Sequence, residues 1–126
     1  MKKYTPLFAA LALALVAPLA NAQANYPDRP ITLVVPTAAA GGTDTIGRFI
    51  GERLSRLLKQ SVIIENKPGA NGVLGTDNVI RAPADGYRLL FTYTAAQVVN
   101  PAIMRKPPYD PVKDLARLSQ SNEPNR

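Results

Sequence analysis

The chain has 126 residues, with 15 Lys and Arg against 9 Asp and Glu and a formal net charge of +6. It contains no His and no Cys, which excludes a Ser-His-Asp triad, a Cys nucleophile, an imidazole or thiolate metal site and a disulfide framework. The length suits one domain, or a piece of one.

The first residues read as a targeting signal rather than as structure. Lys2 and Lys3 form a positive start, Leu7 to Leu19 is an apolar run rich in Ala and Leu, and Ala20-Asn21-Ala22 supplies the small residues that signal peptidase needs. Ala22-Gln23-Ala24 offers a second frame. The run is short for a spanning helix, which needs about 20 residues, and Pro18 interrupts its end. Residues 1–22 are therefore expected to be cleaved from an exported product. Removing 22 of 126 residues leaves 104, and losing Lys2 and Lys3 lowers the net charge from +6 to +4. The remaining basic residues are scattered without interleaved aromatics, so nucleic acid is not an expected partner. A mild attraction for anions is expected.

From Tyr26 onward, strand and helix patterns alternate. Ile31 to Val35 is a short β-branched run closed by Pro36, the pattern of a buried strand. Thr37 to Asp44 is a small-residue loop in which Thr43 or Asp44 suits a helix N-cap. Ile46, Phe49, Ile50, Leu54, Leu57 and Leu58 then recur at three- and four-residue spacing, predicting an amphipathic helix of about four turns whose apolar face covers a sheet. Val62 to Asn66 reads as a second strand, Lys67 to Gly72 as a turn-rich loop and Val73 to Ala82 as a weaker helix. Tyr87 to Tyr93 reads as a third strand after the Pro83-Ala84-Asp85-Gly86 turn. Beyond Thr94 the sequence suggests short turns with at most one helical turn, and Ser119 to Arg126 is polar and reads as disordered. The alternation predicts βαβ units in a parallel sheet covered on both faces, an α/β fold.

In such sheets ligands bind beyond the carboxyl ends of the strands. Three loops qualify: Pro36 to Asp44, Asn66 to Gly72 and Thr92 to Asn100. In the first, small residues let a ligand approach the backbone, and the first amides of the helix offer donors to a carboxylate or phosphate. The same loop also reads as a tight strand-to-helix turn with no ligand. Gly41-Gly42 matches neither the P-loop nor the dinucleotide pattern. Asn66, Asn71 and Asn100 read equally well as turn residues. An exported enzyme would need paired carboxylates from Asp44, Glu65, Asp77 and Asp85, each of which also reads as a cap, strand end or turn.

Several motifs occur in order: Tyr26-Pro27-Asp28-Arg29-Pro30-Ile31, Val34-Val35-Pro36, Gly41-Gly42-Thr43-Asp44, Val62 to Ala70, Ala84-Asp85-Gly86-Tyr87 and Pro108 to Asp114. Together they resemble the start of the Bug family, the periplasmic solute receptors of tripartite tricarboxylate transporters. The resemblance covers about Tyr26 to Leu115. It implies a Rossmann-like lobe of a two-lobe periplasmic binding protein that closes on a small carboxylated solute and works with the membrane components of the transporter. It implies no catalytic residue, no metal and no cofactor. Carried onto this chain, the implied ligand-binding positions are Thr37, Ala38, Ala39, Ala40, Gly41, Gly42 and Thr43, with Asp44 capping the helix, and Thr92, Thr94, Ala95, Ala96 and Gln97. Asn71 and Gly72 lie on the same rim. Thr37 and Ala38 stand where the family often has aromatic or proline residues.

Family members are well over twice as long, and here the family-like text stops near Leu115. Residues 23–118 are thus expected to form a partial first lobe, incomplete in its sheet, and residues 119–126 a tail foreign to the family. A truncated, impaired receptor copy is the expectation, against a standalone exported one-lobe interaction protein that binds through exposed sheet edges. Mass spectrometry of periplasmic material is expected to find a mature N-terminus at Gln23, or at Asn25 from the second frame. Intact Met1 in the membrane fraction would contradict export and cleavage.

Overall fold

β1 (Ile31–Val35) lies at the centre of a three-stranded sheet, between β2 (Val62–Asn66) and β3 (Arg88–Leu90). Both pairings are parallel, with Leu33 opposite Ile64 on one side and Leu89 on the other. The computed structural model describes residues 26–119, so the predicted signal segment, and the predicted tail beyond Ser119, lie outside the described residues. The central place of β1 follows from its composition. Ile31, Leu33, Val34 and Val35 are all buried, as expected for a strand covered on both faces.

The crossovers are α1 (Gly42–Leu58), between β1 and β2, and α2 (Val73–Ile80), between β2 and β3. A β-carbon at Gly47 of α1 would meet Val35 and Phe91, and one at Gly51 would meet Ile64 and Val62. These sheet residues share one face, because strand side chains alternate. α2 lies on the other face, where Asn78 accepts hydrogen bonds from Arg88 and Arg88 also reaches Glu65. With strand order β2-β1-β3 and helices on opposite faces, both crossovers have the same hand, and the predicted α/β parallel sheet is the observed one. Among the described residues no helix is long and apolar enough to cross a membrane.

Several local expectations need correction. α1 starts at Gly42 with Gly41 at the N-cap, so neither Thr43 nor Asp44 occupies that position. Ile46, Phe49 and Leu57, expected on the sheet-facing side of α1, are 55%, 58% and 78% exposed. Two glycines take the closest approach instead, which lets the helix backbone lie against the strands. β3 is three residues long rather than seven, and α2 ends at Ile80. Beyond Thr94, where the sequence suggests at most one helical turn, a π-helical turn (Ala95–Val99) runs into α3 (Asn100–Ile103). Tertiary bonds hold this segment: the Tyr109 hydroxyl donates to the Ala96 carbonyl at 2.8 Å, and the Asn100 side chain is buried. Pro101 is tolerated because it stands in the first turn of α3.

At the amino end of the sheet the N-terminal strap is clasped to the start of β3. The Tyr26 hydroxyl donates to the Gly86 carbonyl at 2.7 Å, and the Tyr87 hydroxyl donates to Asp28 at 2.6 Å. Arg29 stacks 4.2 Å over the Tyr87 ring and pairs with Asp85 at 2.8 Å. At the opposite end, α2 approaches β1 so closely that a β-carbon at Gly75 would sit 2.7 Å from Pro36 Cβ and 2.9 Å from the Lys67 carbonyl oxygen.

Neither of those neighbours can yield easily. Overpacking of this kind costs about 1–3 kcal/mol, whereas valine recovers no more than about 0.5 kcal/mol of helix propensity over glycine. Gly75→Val is therefore expected to lower the urea midpoint, while Gly42→Ala, which has open space around it, leaves it unchanged. Equal midpoints for Gly75→Val and the unsubstituted chain would refute this packing.

Candidate functional site

Parallel strands place the loops after β1, β2 and β3 side by side at one end of the sheet. A single carboxylate organises the first two. Asp44 is 2% exposed, yet its oxygens accept three kinds of bond. Arg48 Nε donates to Oδ2 at 2.9 Å, the Ala40 amide donates to the same oxygen at 2.8 Å, and Asn66 Nδ2 donates to Oδ1 at 2.8 Å. Arg48 Nη2 also donates to Asn66 Oδ1 at 3.2 Å, and Asn66 Nδ2 to the Thr37 carbonyl at 3.2 Å. The network ties the start of α1, the loop after β1 and the end of β2 together. The left-handed backbone at Ala40 (φ 65°) is unusual for a residue with a β-carbon, and its amide bond to Asp44 holds it there.

Consequently the loop is exposed but fixed. Ala38, Ala39, Ala40, Gly41 and Gly42 are exposed and Thr43 is half-buried. The first amides of α1 have no intrahelical acceptor, so they remain donors at the positive end of a 17-residue helix. The Thr37 hydroxyl is buried without a hydrogen-bond partner among the described residues.

A second cluster joins the loops after β2 and β3. Asn71 has a left-handed backbone (φ 52°), and its side chain donates to Asn100 Oδ1 at 2.7 Å. Asn100 Nδ2 returns a bond to the Asn71 carbonyl at 2.8 Å, and the Tyr93 hydroxyl reaches the same carbonyl at 3.2 Å. Gln97 Nε2 donates to Thr92 Oγ1 at 3.2 Å and to Thr76 Oγ1 at 3.3 Å. Gly72 is the meeting point: with φ 92°, a β-carbon there would lie 3.1 Å from Ala96 Cβ and 3.5 Å from Pro36 Cβ. Thr94 is exposed, Ala95 half-buried, and Ala96 fully buried beneath the turn.

Thus Thr37 and Asp44 lie in one cluster, and Asn71, Gly72, Thr92 and Gln97 in the other, with Pro36 between them. Arg48, Thr76 and Tyr93 belong to these clusters, although the sequence reading does not single them out. For Arg48 a signal exists, since it lies four residues after Asp44 on one helix. The four carboxylates weighed for an enzyme are held by different cations: Asp44 by Arg48, Glu65 by Lys67 and Arg88, Asp77 by Arg81, and Asp85 by Arg29. What the rim offers a ligand is therefore backbone amides, hydroxyls and amide side chains.

The Arg48 bond, followed by those from Asn66 and Ala40, lowers the Asp44 pKa from 3.8 to about 2. A depressed carboxylate stabilises the fold above its unfolded pKa of about 3.9, and that contribution is lost as pH falls towards 2. NMR titration of the Asp44 carboxyl is expected to give a midpoint near 2 and to move up towards the ordinary value in Arg48→Ala. A midpoint unchanged by Arg48→Ala would remove Arg48 as the leading cause.

Residues 46–124 match the family described as tripartite tricarboxylate transporter family receptor. The chain is 44% identical over 111 residues to a UPF0065 protein of Bordetella bronchiseptica, covering 88% of this chain and 33% of that protein. It is 38% identical over 96 residues to Protein BugT of Bordetella pertussis, covering 75% and 29%. Among solved structures, MatC from Rhodopseudomonas palustris with bound malate superposes with a TM-score of 0.68 at 37% identity, over 71% of this chain and 30% of that one. The chain spans about a third of the length of the relatives it matches. The match over residues 46–124, the identity to BugT and the shared parallel fold bear out the resemblance to the Bug receptors, and the chain belongs to the tripartite tricarboxylate transporter receptor family.

Proposed function

We propose that this chain provides one wall of a periplasmic solute-binding site for small carboxylates, which the receptor delivers to the membrane components of a tripartite tricarboxylate transporter. The observation that carries it is the exposed loop Ala38–Thr43, fixed by the Asp44 network and ending on the free amides of a long helix. Such amides favour a carboxylate without a charged side chain. The malate bound by the structural relative is a ligand of this class. The Lys-Lys, apolar run and Ala-x-Ala order at the N-terminus supports export.

In this reading Asp44 positions the loop and does not touch the ligand, because its oxygens are already engaged. Arg48 is committed to Asp44 and Asn66, so it leaves the ligand to the backbone. Thr92, Thr94 and Gln97 extend the wall with hydroxyl and amide groups, and Asn71 and Gly72 shape its floor.

One wall leaves the ligand largely in water. Net hydrogen-bond gains are then about 1 kcal/mol each, and two or three cannot offset several kcal/mol of lost ligand freedom. Binding by this chain is expected to be no tighter than about 1 mM. Titration of the ¹⁵N-labelled chain with malate should shift the amides of Ala38–Thr43 and of Thr92–Gln97 in a saturable way. Asp44→Ala should abolish the shifts in the first loop and retain the rest of the spectrum. Shifts confined to other parts of the sheet, or micromolar binding, would overturn this assignment.

A further inference from the structure

Asparagine followed by glycine occurs once in the chain, at Asn71-Gly72, and both residues belong to the rim of the candidate site. This pair has a chemistry of its own. No side chain hinders the glycine nitrogen, so once deprotonated it can attack the carboxamide carbon of the preceding asparagine. The N–Cγ bond forms, the Cγ–Nδ2 bond breaks, and the side-chain nitrogen leaves as ammonia with the proton that Gly72 gave up. Water then opens the ring at either carbonyl and leaves aspartate or isoaspartate. Asn66, Asn78 and Asn100 are followed by Lys, Val and Pro, where a side chain hinders the nitrogen or, for Pro, no proton is present to be lost.

The fold holds Asn71 in a geometry that opposes this step. Its backbone has φ 52° and ψ 39°. That ψ turns the Gly72 nitrogen to the side opposite Cβ, whereas a five-membered ring needs the two on the same side. The Gly72 amide donates to the Gly69 carbonyl at 3.0 Å, so its proton is engaged. The carboxamide is held at both ends: Nδ2 donates to Asn100 Oδ1 at 2.7 Å, and Oδ1 accepts from the Tyr93 hydroxyl at 3.2 Å. Asn100 Nδ2 in turn holds the Asn71 carbonyl at 2.8 Å. A left-handed backbone is unfavourable for a residue with a β-carbon, and these bonds offset it. Asn71 itself is exposed, so its protection comes from bonding and not from exclusion of water.

We propose that Asn71-Gly72 is a latent deamidation site, guarded by the Asn71–Asn100 bond pair, and that its conversion ends carboxylate binding at this rim. Aspartate brings a negative charge to a wall that offers backbone amides and hydroxyls, and it faces Asn100 Oδ1, which has no proton to give. Isoaspartate also lengthens the backbone by one carbon next to Gly72, where a β-carbon would already lie 3.1 Å from Ala96 Cβ. Opening of the rim is thereby turned into a permanent change. The loss of binding rests on the proposed carboxylate site, and the conversion does not.

The test is peptide mapping by mass spectrometry on the full chain aged in mildly alkaline buffer, with and without unfolding guanidinium chloride. The readout is the mass gain at Asn71 when its NH2 becomes OH. The folded chain is expected to convert at least about tenfold more slowly than the unfolded one, because the rim must open first. Asn100→Ala, which removes two hydrogen bonds, should convert about tenfold faster than the unsubstituted folded chain while keeping its amide dispersion. If that variant unfolds, Tyr93→Phe carries the comparison, since it removes only a hydroxyl, and a several-fold rise is expected. Equal rates in the folded and unfolded chain, or in the folded variant and the unsubstituted chain, would overturn the guard. In a separate arm the converted fraction is titrated with malate and should lose the shifts of Thr92–Gln97. Retained shifts would overturn the effect on binding. If the unconverted chain also gives no shifts, the carboxylate site is what fails, and the conversion rates still decide the guard.

Discussion

The Asp44 carboxylate is the interaction on which this end of the molecule depends. Burying a charge is unfavourable unless it is paired and hydrogen-bonded, and here Arg48, the Ala40 amide and Asn66 supply both conditions. Each donor comes from a different piece of structure: the helix itself, the loop before it and the end of β2. The carboxylate therefore fixes three segments relative to one another. In doing so it holds Ala40 in a left-handed conformation beside the first amides of α1, which have no intrahelical acceptor.

Close packing at the end of β1 extends that constraint to the other loops. Pro36 is fully buried, and it lies beneath both Gly72 and Gly75. Glycine at these two positions allows α2 and the turn before it to rest directly on the strand end. Ala96 then approaches Gly72 from the far side, and the Tyr109 hydroxyl anchors the Ala96 carbonyl. The rim is thus built on packed backbone rather than on long side chains, which limits how far its loops can move independently.

Much of this is legible in the sequence, for physical reasons that differ from one segment to the next. β1 and β2 are readable because β-branched runs bounded by Pro and Gly have few alternatives. The extent of α1 is readable from its period, but its orientation is not. The period marks Ile46, Phe49 and Leu57 as apolar without saying which partner they meet, and Gly47 and Gly51 carry no hydropathy signal although they make the closest approach. The helical segment from Ala95 to Ile103 escapes a local reading because its support is tertiary, from Asn71 and Tyr109, which lie 29 and 13 residues away from the groups they bind. The loop residues Thr37 to Asp44 stand out through the chemistry of a strand–loop–helix junction. Tyr93 and Thr76 do not, because a hydroxyl bonded to a neighbouring carbonyl or amide has no signature in a single sequence.

Charge pairing accounts for the type of recognition this rim can offer. The chain is basic overall, which on composition alone would suggest a positively charged pocket. The structure distributes its arginines otherwise: Arg48 neutralises Asp44, Arg88 meets Glu65, Arg81 meets Asp77 and Arg29 meets Asp85. These cations stabilise the scaffold and bring no concentrated charge to the loops. On the proposed function, an anion at the rim would be held by amide dipoles whose positions are set by backbone packing, and so would be selected by where its oxygens lie more than by its total charge. Such donors become strong only when water is excluded. A site of the proposed construction would accordingly gain its affinity from enclosure, and the loops fixed by the Asp44 network would supply a wall that need not move.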